Sequence, residues 1–236
     1  MFANVLAAAL RNLMRNRLYA AISIASLAIG MAAALLTGLY IRDETAFDGV
    51  IPGVERVYVV VSDYRIGSSK PKIVDNIVPP VGPDLKLDFP EALYTAREEH
   101  DLAGVRHGDV AAREPIGWSD PDLFDILRIP AVAGDPSAAL KRADGAVITQ
   151  AVARKYFGRD APIGQTLEVN GYLVFRVAAV IRDPPANTDL AHGVYLSSLN
   201  PASPVRRAEA AFKYRESYSS CCRTYVQVAN TQAIKA

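Results

Sequence analysis

The sequence is poor in the residues that usually carry chemistry. It holds three histidines, His100, His107 and His192, and two cysteines, Cys221 and Cys222, which are neighbours. No CxxC pair and no Cys/His run with zinc-finger spacing occurs, so sequence-encoded metal sites of that kind are excluded. A disulfide between adjacent cysteines closes a strained small ring, and the pair reads as two ordinary small residues. There is no Gly-Lys dipeptide, hence no GxxxxGK[ST] loop whose amides and lysine cradle phosphates. The chain is not expected to bind ATP. A GxSxG nucleophile elbow is missing too. His100 and His107, near Asp101 and Asp109, are the best pairing for a metal, but their spacing on a turn-rich segment reads as solvated loop. No catalytic, cofactor-binding or metal site is expected.

An excess of charge of either sign is also lacking. Lys and Arg number 26 against 25 Asp and Glu, for a net charge of +1. Arg11, Arg15 and Arg17 are the only charged residues among the first 41, so residues 42–236 carry a net −2. A chain this near neutrality implies no nucleic-acid partner.

Long apolar runs are absent except for one. Leu18 to Ile41 reads LYAAISIASLAIGMAAALLTGLYI without a charged side chain. As a helix at about 1.5 Å per residue it covers about 36 Å, enough to cross a hydrocarbon core of about 30 Å. A cleaved signal peptide has an apolar region of only about 7 to 15 residues, which this run exceeds. Arg11, Arg15 and Arg17 precede the run, whereas Arg42 is followed by Asp43, Glu44 and Asp48. Basic residues stay on the cytoplasmic side, so the N-terminus is expected there and residues 42–236 on the extracytoplasmic side. Glu44 and Asp48 read as solvated acids at the membrane exit.

Within the span, Ser26, Gly30, Ala34 and Gly38 recur every four residues and line one side of the helix. Small-xxx-small ridges let helix backbones approach closely in lipid, so this side is expected to pack against other helices. Before the span, Phe2, Val5, Leu6, Ala9, Leu10 and Leu13 follow helical spacing, and residues 1–17 are expected to form a cytoplasmic amphipathic segment on the inner leaflet.

After the span the composition turns towards strands and turns. Val54–Tyr64 and Lys72–Val78 read as strands, Val81–Leu87 as a short helix ended by Pro90, and Ala92–Glu99 and Val110–Trp118 as further strands. Asp120-Pro121 fits an N-cap and first helical residue before an apolar face of Leu123, Phe124, Ile126 and Leu127. Gly134-Asp135-Pro136 reads as a turn and Ala146–Ile148 as a strand. Thr149 is expected to cap a helix over Gln150–Phe157 that stops at Gly158. Strands Gln165–Val169 and Tyr172–Ile181 flank Asn170-Gly171, the pair favoured in a two-residue hairpin. Tyr58, Phe124, Tyr156, Phe157 and Phe175 are expected in the core.

These residues also carry a resemblance. LRNLMRNRLYAAISIASLAIGMAAALLTGLYIRDETAFD resembles the first membrane helix of MacB/FtsX-type ABC transporter permeases. FPEALYTAR, DLFDIL, GDPSAAL, VITQAVARKYFGRDAPIGQTLEVNG and VAAVIRDPPANTDL resemble, in the same order, their MacB-like periplasmic core domain. The resemblance implies an α+β fold in the plasma (inner) membrane: one N-terminal transmembrane helix, 18–41, followed by a two-lobed mixed α+β extracytoplasmic (periplasmic) domain, 42–236. It implies a permease without covalent chemistry, moved by a partner ABC ATPase subunit. Its other partners would be further permease helices or a second permease copy within the lipid bilayer. Family members continue into three more spans, so this chain is expected to be an N-terminal part of such a permease. The alternatives are a single-pass anchored binding or adaptor protein without transport, and an anchored hydrolase, for which no nucleophile and base are in view.

Overall fold

A computed structural model describes residues 11, 14–45, 52–64, 70–184, 188, 192–213 and 220–231. The chain divides into two compact units, Met1–Phe47 and Asp48–Ala236.

The first unit is built on helix α1, Arg17–Thr45. It is rich in Ala and Leu, which favour helix, and free of proline. Within Arg17–Arg42 an 18-residue stretch has a mean hydropathy of 2.0 and none of it is buried, so the helix is long and apolar enough to cross a membrane. Ser26 and Thr37 each donate a 2.8 Å hydrogen bond back to the carbonyls of Ile22 and Ala33, which satisfies both hydroxyls inside the helix. The expected amphipathic segment falls on residues 1–10, 12 and 13, outside the described residues, apart from Arg11 and the stretch that leads into α1.

The second unit begins with a turn of 3-10 helix, Val54–Arg56, and short strands β1 (Val57–Val59), β2 (Ser62–Tyr64), β3 (Lys72–Val74) and β4 (Asn76–Ile77). Helix α2 (Val81–Asp88) leads into the long strands β5 (Ala92–His107) and β6 (Val110–Ser119). Then come α3 (Leu123–Leu127), β7 (Ala131–Gly134), α4 (Pro136–Leu140), β8 (Gly145–Thr149), α5 (Gln150–Phe157), β9 (Thr166–Val169) and β10 (Leu173–Ile181). The unit ends with β11 (Val194–Ser197), α6 (Pro204–Lys213) and β12 (Cys222–Val228).

Six of the strands close on one another. β5 pairs with β6, β6 with β11, β11 with β8, β8 with β10, β10 with β9, and β9 returns to β5 through Val105–Val169 and Arg106–Glu168. The ring encloses one apolar core: Ala103 and Val105 of β5, Ile116 and Trp118 of β6, Val194 and Leu196 of β11, Ala146 and Ile148 of β8, Phe175 and Val177 of β10, Leu167 and Val169 of β9. Trp118 and Phe175 meet edge-to-face at 5.7 Å, and α5 packs Val152, Ala153 and Tyr156 against the same core.

The alternate residues of these strands face outward. Val147, Tyr195, Ala179 and Ile181 meet Leu123, Phe124, Ile126 and Leu127 of α3 and Ala139 and Leu140 of α4 in a second core. β5 is long enough to serve two neighbourhoods: its first half pairs with β12, which holds β1 and β4, and its second half enters the ring. The two parts of this α+β domain therefore share a strand and one ten-stranded sheet rather than meeting as separate bodies.

Local expectations that depend on few neighbours hold. Thr149 Oγ1 accepts from the Val152 amide, Gly158 ends α5 with φ 64°, and Asn170 and Gly171 turn the β9–β10 hairpin with φ 52° and 79°. Others are corrected. Val54–Tyr64 is not one strand: it opens as 3-10 helix, and β1 and β2 have different partners, β1 pairing with β12 and β2 with β3. β5 runs on to His107, so His100 and His107 stand on a strand and not on loops. Asp120 does not cap α3, whose N-cap is Asp122. Phe124, Tyr156 and Phe175 are buried as expected, Tyr58 and Phe157 half-buried, and Trp118 and Tyr195 join them unanticipated.

Candidate functional site

The most unusual chemistry lies on the outer face of β5. Glu98 and His100 are two residues apart on a strand and share that face, while His107, an odd number of residues further on, lies on the other. His107 Nδ1 is 2.9 Å from the Thr166 carbonyl oxygen and its ring rests 4.3 Å from that of Phe157, so it belongs to the barrel wall. The partner of His100 is instead His192, which precedes β11. The two imidazoles meet edge-to-face at 4.4 Å, and His192 packs in the same way on Tyr195 at 5.5 Å.

Glu98 joins them. Its carboxylate is wholly buried, with Oε1 3.3 Å from His192 Nε2 and Oε2 3.4 Å from His100 Nε2. Ser119 Oγ donates to Oε1 at 3.2 Å. The histidine contacts are ion-pair distances without hydrogen-bond alignment, so Glu98 Oε2 and His192 Nε2 are buried with no hydrogen-bond partner. Burial pushes the Glu98 carboxyl towards its neutral form, but the two imidazoles outweigh it and hold the group below its ordinary range. The Glu98 contact in turn raises His100 against its desolvation. Across the ladder, Gly117 supplies the space: a Cβ there would lie 2.6 Å from Glu98 Oε1 and 2.8 Å from His192 Cδ2. An open pocket of about 420 Å³, lined by Val74, Asp75, Asn76, Glu98, Glu99, His100, Ser220 and Arg223, reaches the cluster from solvent. On its wall Arg223 binds Asp75 at 2.6 Å and holds that carboxyl low.

A second polar network is structural. Arg97, on the other face of β5, grips Asp120 through its own amide at 3.0 Å and through Nε at 2.7 Å, and donates to the Pro79 carbonyl at 3.0 Å. Ser198 completes it with a hydrogen bond to Asp120. This is what the Asp120 carboxylate does in place of capping α3: it ties β5, the end of β6 and the segment after β11 together. Cys221 and Cys222 are both free thiols with their sulfurs 2.8 Å apart; Cys221 and burial push the Cys222 thiol up.

The helix residues singled out in the sequence sit on α1. Ser26, Gly30, Ala34 and Gly38 are all exposed, with nothing within 4 Å of where a Cβ would stand at Gly30 or Gly38. Arg11, Arg15 and Arg17 are exposed at its start, with Arg17 Nε donating to the Met14 carbonyl at 3.2 Å.

A sheet-rich α+β domain that follows one membrane-length helix in the described residues fits the extracytoplasmic module of a transporter permease. Residues 20–236 match the family model of the MacB-like periplasmic core domain, and the chain belongs to that family. Solved structures share the fold. A domain of a proposed permease from Porphyromonas gingivalis is 18% identical with a TM-score of 0.62, over 77% of this chain and 76% of that one. The periplasmic region of MacB from Actinobacillus actinomycetemcomitans is 11% identical, TM-score 0.53, over 79% and 84%. The extracellular domain of the noncanonic ABC-type transporter YknZ from Gram-positive bacteria is 13% identical, TM-score 0.52, over 76% and 85%. No curated protein sequence matches.

Proposed function

We propose that the chain is a permease subunit of an ABC transporter, or the N-terminal part of one. It couples ATP hydrolysis by a partner ATPase to movement of its outer domain, for export or extraction of substrate. The observation that carries this is the extent of the family match, which starts at residue 20 within α1 and runs through the whole sheet domain. One family model covers both the helix and the domain, in the sequence order of a span leading into an outer domain. The chain performs no covalent chemistry in this reading; nucleotide on one side of the membrane biases a conformational equilibrium on the other.

The N-terminus is cytoplasmic, held there by Arg11, Arg15 and Arg17, residues 42–236 are extracytoplasmic, and the Ser26–Gly38 ridge receives other permease helices or a second copy. Gentle solubilisation and purification of the chain from its native membrane should recover an ATP-binding subunit. Recovery of the chain with no such subunit would count against the transporter reading. A fluorescent protein at the N-terminus should fluoresce and alkaline phosphatase after Ala236 should be active, and the opposite pattern would reverse the topology.

A further inference from the structure

We propose that Glu98, His100 and His192 form a binding site for a divalent transition-metal cation of the zinc class. Their donor atoms all lie within 4.8 Å of one another. A tetrahedral centre with bonds of about 2.0 to 2.1 Å sets its ligand atoms about 3.3 Å apart. The contact of Glu98 Oε1 with His192 Nε2, at 3.3 Å, and that of Glu98 Oε2 with His100 Nε2, at 3.4 Å, are each of that length, so the two carboxylate oxygens each face one imidazole across a ligand-to-ligand spacing. Two imidazole nitrogens and a carboxylate oxygen are a borderline donor set suited to Zn²⁺ and its neighbours, whereas Mg²⁺ and Ca²⁺ require shells of hard oxygens.

Burial supplies the second argument. A wholly buried carboxylate is costly unless a cation faces it, and here Glu98 Oε2 and His192 Nε2 are both buried without a hydrogen-bond partner. A metal ion would use both atoms at once. Gly117 keeps the space clear, because any side chain there would collide with Glu98 and His192. His100 is half-exposed and lines the pocket, which gives a cation a route to the cluster from solvent. Bound metal would pin β5 to the segment that enters β11, two strands that the sheet joins through β6.

The test uses the untagged full chain in detergent, stripped with a chelator and titrated with Zn²⁺ by calorimetry and with Co²⁺ by visible absorption. One Zn²⁺ per chain and visible Co²⁺ bands of a low-coordinate site are expected, together with a higher thermal midpoint on zinc addition. His100→Ala and His192→Ala should each weaken binding at least about tenfold, while His107→Ala leaves it unchanged. His100 is 40% exposed, so its replacement spares the core and decides the matter if the His192 variant fails to fold. Absence of saturable binding, or native affinity in His100→Ala, overturns the site.

Discussion

At the scale of single residues, the sheet domain spends its buried charge on holding strands in place. Arg97 and Asp120 are 8% and 14% exposed, and the guanidinium takes up both carboxylate oxygens, a backbone carbonyl and, at 3.8 Å, Glu209 of α6. Buried pairs of this kind are worth little against an apolar replacement of both partners, but removing one leaves the other uncompensated, at about 3 to 5 kcal/mol. Arg97→Met should therefore lower the stability of the chain by about that amount in urea unfolding, and adding Asp120→Asn should restore part of it. A single substitution with no effect would show that Asp120 is solvated, and equal loss in the double variant would deny the coupling. The Glu98 cluster had a trace in the sequence, since Glu-x-His on a strand puts both side chains on one face. His100 and His107 looked like partners only while their segment was read as loop; on a strand an odd spacing separates them. The third member, His192, comes from a distant segment brought alongside by the β6–β11 pairing, and nothing local announces it.

At the scale of elements, β10 shows why its apolar residues do not keep a strict alternation. Phe175 and Val177 point into the ring, then Ala178 is extruded as a bulge between Val177 and Ala179, and the phase inverts so that Val180 points in while Ala179 and Ile181 point out. A bulge bends its strand and strengthens the local twist, which helps a small ring to close. β7 passes so near it that a Cβ on Gly134 would lie 2.2 Å from the Ala178 carbonyl oxygen, and Gly134 has φ 74°. Gly134→Ala must therefore strain the turn into α4 and push β7 off the bulge, at a combined cost of about 2 to 4 kcal/mol. It should appear as a lower thermal midpoint and faster amide exchange in β7 and β10. Native exchange rates in both strands would mean that β7 gives way at no cost. The hairpin at Asn170-Gly171 and the Thr149-capped helix were legible in the sequence because each depends on a few adjacent residues. The ring was not, because β5–β9 and β6–β11 are contacts between distant segments, and neither leaves a periodic mark on its own strand.

At the scale of the whole molecule, the two units bury different amounts of themselves. The domain over Asp48–Ala236 encloses its apolar residues in three cores, while the apolar face of α1 is open all round, with Leu18, Leu27, Ile29, Leu35 and Leu36 all more than 60% exposed. Lipid satisfies the large side chains of such a helix but gives no reason for a column of small ones. Between helices in lipid there is little hydrophobic drive, and association rests on close backbone approach and dispersion contact, which Ser26, Gly30, Ala34 and Gly38 permit on one side. Gly30→Leu and Ala34→Leu should weaken association with other membrane helices. Crosslinking in native membranes should fall several-fold while carbonate-resistant insertion stays intact, because leucine is at least as apolar as the residues it replaces. The matched change Leu27→Ala, off the ridge, should leave crosslinking as it is. Equal crosslinking in the ridge variants would place the partner surface elsewhere on α1, and a loss matched by Leu27→Ala would make the effect one of helix composition rather than of a face.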